Sequence, residues 1–210
     1  MPEHLVKIAA ILGFVAVTAL SAVPLRAQNL PPEAVMTAER VLGNKDAPLT
    51  LIEYASMTCS QCAAFHNGPY QVIKKEYIDT GKLKLIYRDF PLNNTDLAAM
   101  MMARCVPEER YFGVVEIVFK TQSNWLKAAN QTQALGNLAR FAQISPATFN
   151  ACVSNETLLK KIVASREEGI AKHQVSGTPT LILNGNKINS EMSDTQVREV
   201  MDAALAKVKK

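Results

Sequence analysis

Beyond residue 27 the chain has no apolar run long enough to cross a bilayer, which excludes an internal membrane-spanning helix. Lys and Arg are scattered apart from Lys207, Lys209 and Lys210, and the net charge is only +4. Phosphate backbones are bound by stripes of such charges, so a nucleic-acid partner is not expected. There is no internal repeat or low-complexity segment. Cysteine is limited to four residues, and neither Cys105 nor Cys152 has a second cysteine two residues away. A zinc site would have to be completed by His66 and one distant cysteine, so no metal is expected. Position 63 is alanine, and C-x-x-C-H is what attaches a c-type haem. No cofactor is expected either.

What is present is ordinary globular composition over 210 residues, 48% hydrophobic and 20% charged, enough for one sizeable core. The N-terminus differs from the rest. Ile8 to Val23 is almost uninterruptedly apolar, with Lys7 before it and Pro24, Leu25, Arg26 and Ala27 after it. That resembles a secretory signal over residues 1–27, cleaved after Ala27, with a retained membrane anchor as the alternative. An exported chain works where thiols are not kept reduced, so two disulfides are expected from the four cysteines.

The mature part starts with a helical candidate over Ala34 to Leu42 and a turn cluster at Gly43, Asn44, Lys45, Asp46 and Pro48. Leu49 to Ala55 reads as a strand, with the polar Glu53 among apolar neighbours. Cys59 to about Thr80 reads as helix, kinked at Asn67, Gly68 and Pro69 and closed by Gly81. Lys82 to Phe90 alternates as a second strand, which completes a parallel βαβ unit. Four helical spacings follow: Thr95 to Val106, Pro107 to Gln122, Thr132 to Ile144 and Ser145 to Ser154, with Pro107 and Pro146 in first turns. Asn155 caps a longer helix whose shared face is Leu158, Leu159, Ile162, Val163 and Ile170. Thr178 to Leu183 is a strand that returns through Asn184, Gly185 and Asn186 to Lys187–Asn189, a hairpin. The last helix opens on Ser193 with Gln196 three residues on, a capping-box spacing.

Chemistry concentrates in the stretch LIEYASMTCSQCAAFH. A thiol at a helix N-terminus meets unpaired N–H groups and the positive end of the dipole, both of which favour a thiolate. Cys59 should therefore attack, and Cys62, one turn inward, should resolve. A merely structural bridge across so short a loop would gain little. Cys105 and Cys152, 47 positions apart on apolar helices, are the reverse case: a bridge there could stabilise by about 4 kcal/mol, with buried free thiols as the alternative. The second half of the site is Ser176, Gly177, Thr178, Pro179 and Thr180. Beside a C-x-x-C βαβ unit a cis Pro179 is expected, leaving neighbouring backbone free to pair with an extended peptide. His66 and His173 read as surface or packing histidines, with a proton shuttle as the alternative. Trp125 and Met100 to Met102 read as core or groove residues.

Over residues 40 to 208 the sequence resembles the DsbA-like branch of the thioredoxin superfamily, exported bacterial thiol-disulfide oxidoreductases. The resemblance rests on GNKDAP, EYASMTCSQCAAFH, YRDFPL, the helical stretch with Cys105 and Cys152, and GTPTLILNG, in that order. It implies an α/β thioredoxin fold, residues 28–94 and 155–210, interrupted by an all-helical insertion, residues 95–154. It also implies Cys59 as exposed nucleophile, Cys62 as buried partner, Pro179 as cis proline and Glu53 as a buried acid exchanging protons with Cys62. Two departures bear on redox strength. Ser60 and Gln61 stand where the best-known oxidants hold Pro-His, and Thr178 stands where the best-known oxidant has Val and isomerase-like relatives also have Thr. The implied function is periplasmic introduction of disulfides into reduced exported polypeptides, by a monomer served by a membrane DsbB-like, quinone-linked reoxidant. Isomerase or reductase activity, a peptide-binding chaperone and a metal-trafficking module are the alternatives.

Overall fold

The computed structural model describes residues 30–208, so the expected signal over 1–27 and the last two lysines lie outside the described residues. A five-stranded mixed sheet in the order β1-β3-β2-β4-β5 organises the chain. Helix α1 (Glu33–Met36) leads into strand β1 (Arg40–Leu42) and then the central strand β2 (Leu49–Ala55). The expected helix over Ala34 to Leu42 is thus corrected: it stops at Met36, and Arg40–Leu42 pairs antiparallel with β3, Arg40 opposite Tyr87. A three-residue edge strand is specified by the edge it covers rather than by its own periodicity.

Helix α2 (Ser60–Asn67) ends at Gly68, and Pro69, which has no N–H to give, opens α3 (Pro69–Ile73) at its first turn. A π-helical turn, Lys74–Ile78, follows, and Gly81 at φ 74° reverses the chain into β3 (Leu83–Asp89). β3 runs parallel to β2 from Leu49 opposite Leu83 to Ala55 opposite Asp89.

Between β3 and the long helix α9 the chain is helical: α4 (Asn94–Arg104), a 3₁₀ turn at Glu108–Arg110, α5 (Tyr111–Lys120), α6 (Gln122–Leu126), α7 (Gln131–Phe141) and α8 (Pro146–Val153). Asn93, Asn130 and Ser145 each cap a helix through the side chain. The single helix expected over Pro107 to Gln122 is broken, since Pro107 precedes the 3₁₀ turn and a new helix starts at Gln122. Cys105 and Cys152 form a disulfide with their Cα atoms 6.1 Å apart. Trp125 and Met100 to Met102 are buried core residues here, the indole N–H donating to the Val118 carbonyl at 3.0 Å.

Helix α9 (Glu156–His173) is capped by Asn155. Leu158 and Ile162 are buried, but Leu159 and Ile170 are exposed, and the buried stripe is completed by Ser165 and Gly169. Tyr54 lies so close that a Cβ on Gly169 would sit 2.7 Å from its ring. β4 (Thr180–Leu183) and β5 (Asn186–Ile188) are joined through Asn184 and Gly185, both at positive φ, as a type I′ hairpin requires. Helix α10 (Asp194–Val208) opens with a reciprocal pair: the Gln196 N–H donates to Ser193 Oγ at 3.3 Å and the Ser193 N–H to Gln196 Oε1 at 2.9 Å.

Candidate active site

The end of β2 delivers the loop Ser56–Thr58 to the start of α2, and Cys59 is the N-cap of that helix. Cys62 lies one turn on, fully buried, while Cys59 is partly exposed and both are free thiols. The Cys62 thiol donates a hydrogen bond to the Cys59 sulfur, and with the backbone N–H groups of Gln61 and Cys62 it lowers the Cys59 thiol to about 5 against the opposing effect of burial. Burial pushes the Cys62 thiol far the other way, assisted by its hydrogen bond to Cys59 and by the negative charge of Glu53. Of two neighbouring sulfurs, one is readily ionised and reachable, the other neutral and enclosed.

The Thr178–Pro179 peptide is cis and stands against this pair. The Cys59 thiol donates to the Thr178 carbonyl at 3.2 Å. On ionisation of Cys59 the side chain of Thr178 helps to hold the thiolate. Ser60 and Gln61 point to solvent.

Glu53 and His66 are both inside, 0% and 2% exposed. His66 Nε2 and Glu53 Oε1 are 2.9 Å apart. The imidazole is clamped between Phe119, stacked at 4.2 Å, and Tyr70 at 4.5 Å. The surface alternative for His66 is thereby corrected: it packs, and it holds the acid. Four residues after Cys62 on one helix places it on the same inward face, which is the signal that identifies it. His173 instead lies by Tyr54 at the end of α9, ring centroids 5.7 Å apart.

Two further residues shape the loop. Asp96, near the start of α4, accepts from the Met57 N–H at 2.7 Å and the Leu92 N–H at 2.9 Å. Burial pushes its carboxyl up to about 6 despite these bonds and one to Ser56. Gln122, at the start of α6, donates to the carbonyls of Met57 at 3.0 Å and Cys59 at 2.8 Å. Asp96 could be suspected from the Asn93-x-x-Asp96 capping pattern; Gln122 has no sequence signal. No cluster of potential metal ligands occurs among the described residues.

A family model described as thioredoxin matches residues 36–203. A Rickettsia conorii protein, named by inference a protein-disulfide oxidoreductase, is 30% identical over 172 residues, 81% of this chain and 62% of that protein, so the chain spans about three fifths of that relative's length. Among solved structures, alpha-DsbA1 of Wolbachia pipientis superposes with a TM-score of 0.75 at 30% identity, covering 86% of this chain and 95% of that one. A protein-disulfide isomerase from Novosphingobium aromaticivorans gives 0.69 at 26% identity, covering 80% and 97%. With the sheet order, the helical insertion and the cysteine pair at the head of α2, these matches place the chain in the thioredoxin superfamily, and within it the chain belongs to the DsbA-like thiol-disulfide oxidoreductases.

Proposed function

We propose that this chain is an exported thiol oxidase that introduces disulfides into reduced polypeptides, working in the periplasm through Cys59 and Cys62. The observation that carries the reading is the asymmetry of the pair, an accessible sulfur with a low-lying thiol backed by an enclosed neutral one. A substrate thiolate attacks Cys59 Sγ of the oxidised pair, the Cys59–Cys62 bond breaks, and Cys62 leaves and is protonated with Glu53 as the nearby acid. The substrate's second thiolate then attacks the mixed disulfide and releases Cys59 as thiolate, two electrons having passed to the protein. A DsbB-like, quinone-linked membrane protein is the proposed acceptor of those electrons. Thr178 and cis-Pro179 line the place where the extended substrate backbone docks. Residues 28–94 and 155–210 form the thioredoxin-like part in this reading, and 95–154 the insertion. No helix among the described residues is long and apolar enough to cross a membrane.

The test is the reduction potential of the Cys59–Cys62 couple against glutathione, with oxidation of a reduced unfolded protein as the activity. A potential well above that of glutaredoxins, about −200 to −230 mV, is expected. One near that of thioredoxin, about −270 mV, would make the protein a reductase instead. Cys59→Ser should abolish exchange. A second reading, isomerase, is favoured by the likeness to the Novosphingobium isomerase. Reactivation of a substrate with scrambled disulfides faster than oxidation of the reduced one would select it.

A further inference from the structure

Cys62 has to lose a proton each time the internal disulfide closes and regain one each time it opens, and its sulfur is out of contact with solvent. Two buried polar side chains near it have unused capacity. Glu53 Oε2 and His66 Nδ1 have no partner, although Glu53 Oε1 and His66 Nε2 are engaged with each other at 2.9 Å. The imidazole cannot swing away, because Phe119 and Tyr70 hold its two faces. His66 also shares with Cys62 the inward face of α2, at the spacing that brings side chains of successive turns together.

We propose that Glu53 and His66 act as one proton-holding pair for Cys62, with Glu53 Oε2 exchanging the proton with the sulfur and His66 sharing it, rather than Glu53 acting alone. When the disulfide closes, the Cys62 S–H proton moves to the pair, whose net charge rises by one. The Cys62 thiolate then attacks Cys59 Sγ and expels the thiolate bound there. Opening runs the same steps backwards. A lone enclosed carboxylate must carry its charge unaided whenever Cys62 is protonated, which is costly in an apolar setting. A His66 tautomer with its proton on Nε2 donates to Glu53 Oε1 and lowers that cost, and the shared proton spreads the charge change over two side chains.

The groups that face this pair are few. Cys62 is on α2, Tyr70 on α3, Tyr87 opposite Glu53 on β3 and Tyr111 on α5, and behind these tyrosines stand the carboxylates Glu116 on α5 and Asp89 at the end of β3. The tyrosines stay neutral through the working range, since burial raises all three.

The inference rests on Cys59 and Cys62 being the exchanging couple, and the experiment separates the two ideas. The reduced full chain is mixed with an aromatic disulfide reagent that releases one coloured thiolate when Cys59 attacks and a second when Cys62 closes the bridge. Failure of the first release would remove the exchange reading itself. If the pair holds the proton, His66→Phe, which keeps the ring stacking, should slow the second release relative to the first by on the order of a hundredfold and change its pH profile. His66→Gln, which keeps an N–H for Glu53 but cannot take up a proton, should recover part of the rate without recovering the profile. Wild-type ratio and profile in His66→Phe, or in His66→Gln should the first variant not fold, would overturn the proposal. A complete return of rate and profile in His66→Gln would reduce His66 to orienting Glu53 and would overturn it equally.

Discussion

The Cys59 thiol sits at about 5 with only neutral donors around it: the Cys62 thiol, two backbone N–H groups and Thr178. A histidine at position 61, where Gln61 now faces solvent, would add a cation beside the sulfur. Gln61→His is therefore expected to take the thiol below 5 and to raise the reduction potential by about 30 mV for each unit it falls while the leaving thiol stays protonated. Thiolate absorbance against pH and equilibration with glutathione measure both; unchanged values would mean that position 61 does not reach the sulfur. The same depressed thiol gives the reduced protein a pH-dependent advantage. Its ordinary value is 9.0, so the stabilisation is fully present above pH 9, shrinks through the interval down to about 5 and is gone below it. Cys59, Cys62 and Pro179 are legible in the sequence because each is announced by local pattern. His66 is less so, since its partner Glu53 lies 13 positions away on a different element and only the sheet brings them together.

At the scale of elements, the start of α4 holds the loop that carries Cys59. Asp96 takes the N–H groups of Met57 and Leu92, so Asp96→Ala leaves one buried and one part-buried donor unpaired, whereas Asp96→Asn keeps an acceptor for one of them. The Asn variant should cost about 1–3 kcal/mol, read as a shift in the urea midpoint at neutral pH. Its pH dependence has the opposite sign to that of Cys59. The carboxyl is raised from 3.8 to about 6, so the folded state holds the proton more tightly and stability from this group falls as pH rises through that interval. Asp96→Asn should flatten that slope, and an unchanged slope would assign it to another group. Elements also show where periodicity misleads. On α9 the apolar residues Leu159 and Ile170 face outward, while Ser165 and Gly169 face in, Gly169 because the Tyr54 ring leaves no room for a side chain there. A hydrophobic pattern does not register smallness. β1 escaped for a related reason: three residues carry too little pattern, and the free edge of β3 decides their conformation.

For the molecule as a whole, two sets of hydrogen bonds are prominent among the contacts that join the insertion to the rest of the chain. Near the thiols, Asp96 and Gln122 tie it to the loop Met57–Cys59. Elsewhere, Arg104 at the end of α4 pairs with the buried Asp89 at 2.5 Å and donates to the carbonyls of Met36 and Ala38 at 3.0 Å. The Cys105–Cys152 bridge lies beside this second joint and closes the segment that contains α5 to α8, Gln122 included. Crosslinking over that separation reduces unfolded-chain entropy by an amount worth about 4 kcal/mol. Replacing both residues, Cys105→Ala with Cys152→Ala, should therefore lower unfolding stability by up to about 4 kcal/mol in a denaturant titration. The two hydrogen bonds from Gln122 and those to Asp96 do not depend on the bridge, so the low Cys59 thiol and its exchange with a substrate should persist under native conditions. If the thiol rose toward 9 in the double variant, the bridge would be holding the insertion against the active-site loop, and its contribution would be to the geometry of the site as well as to the unfolded chain.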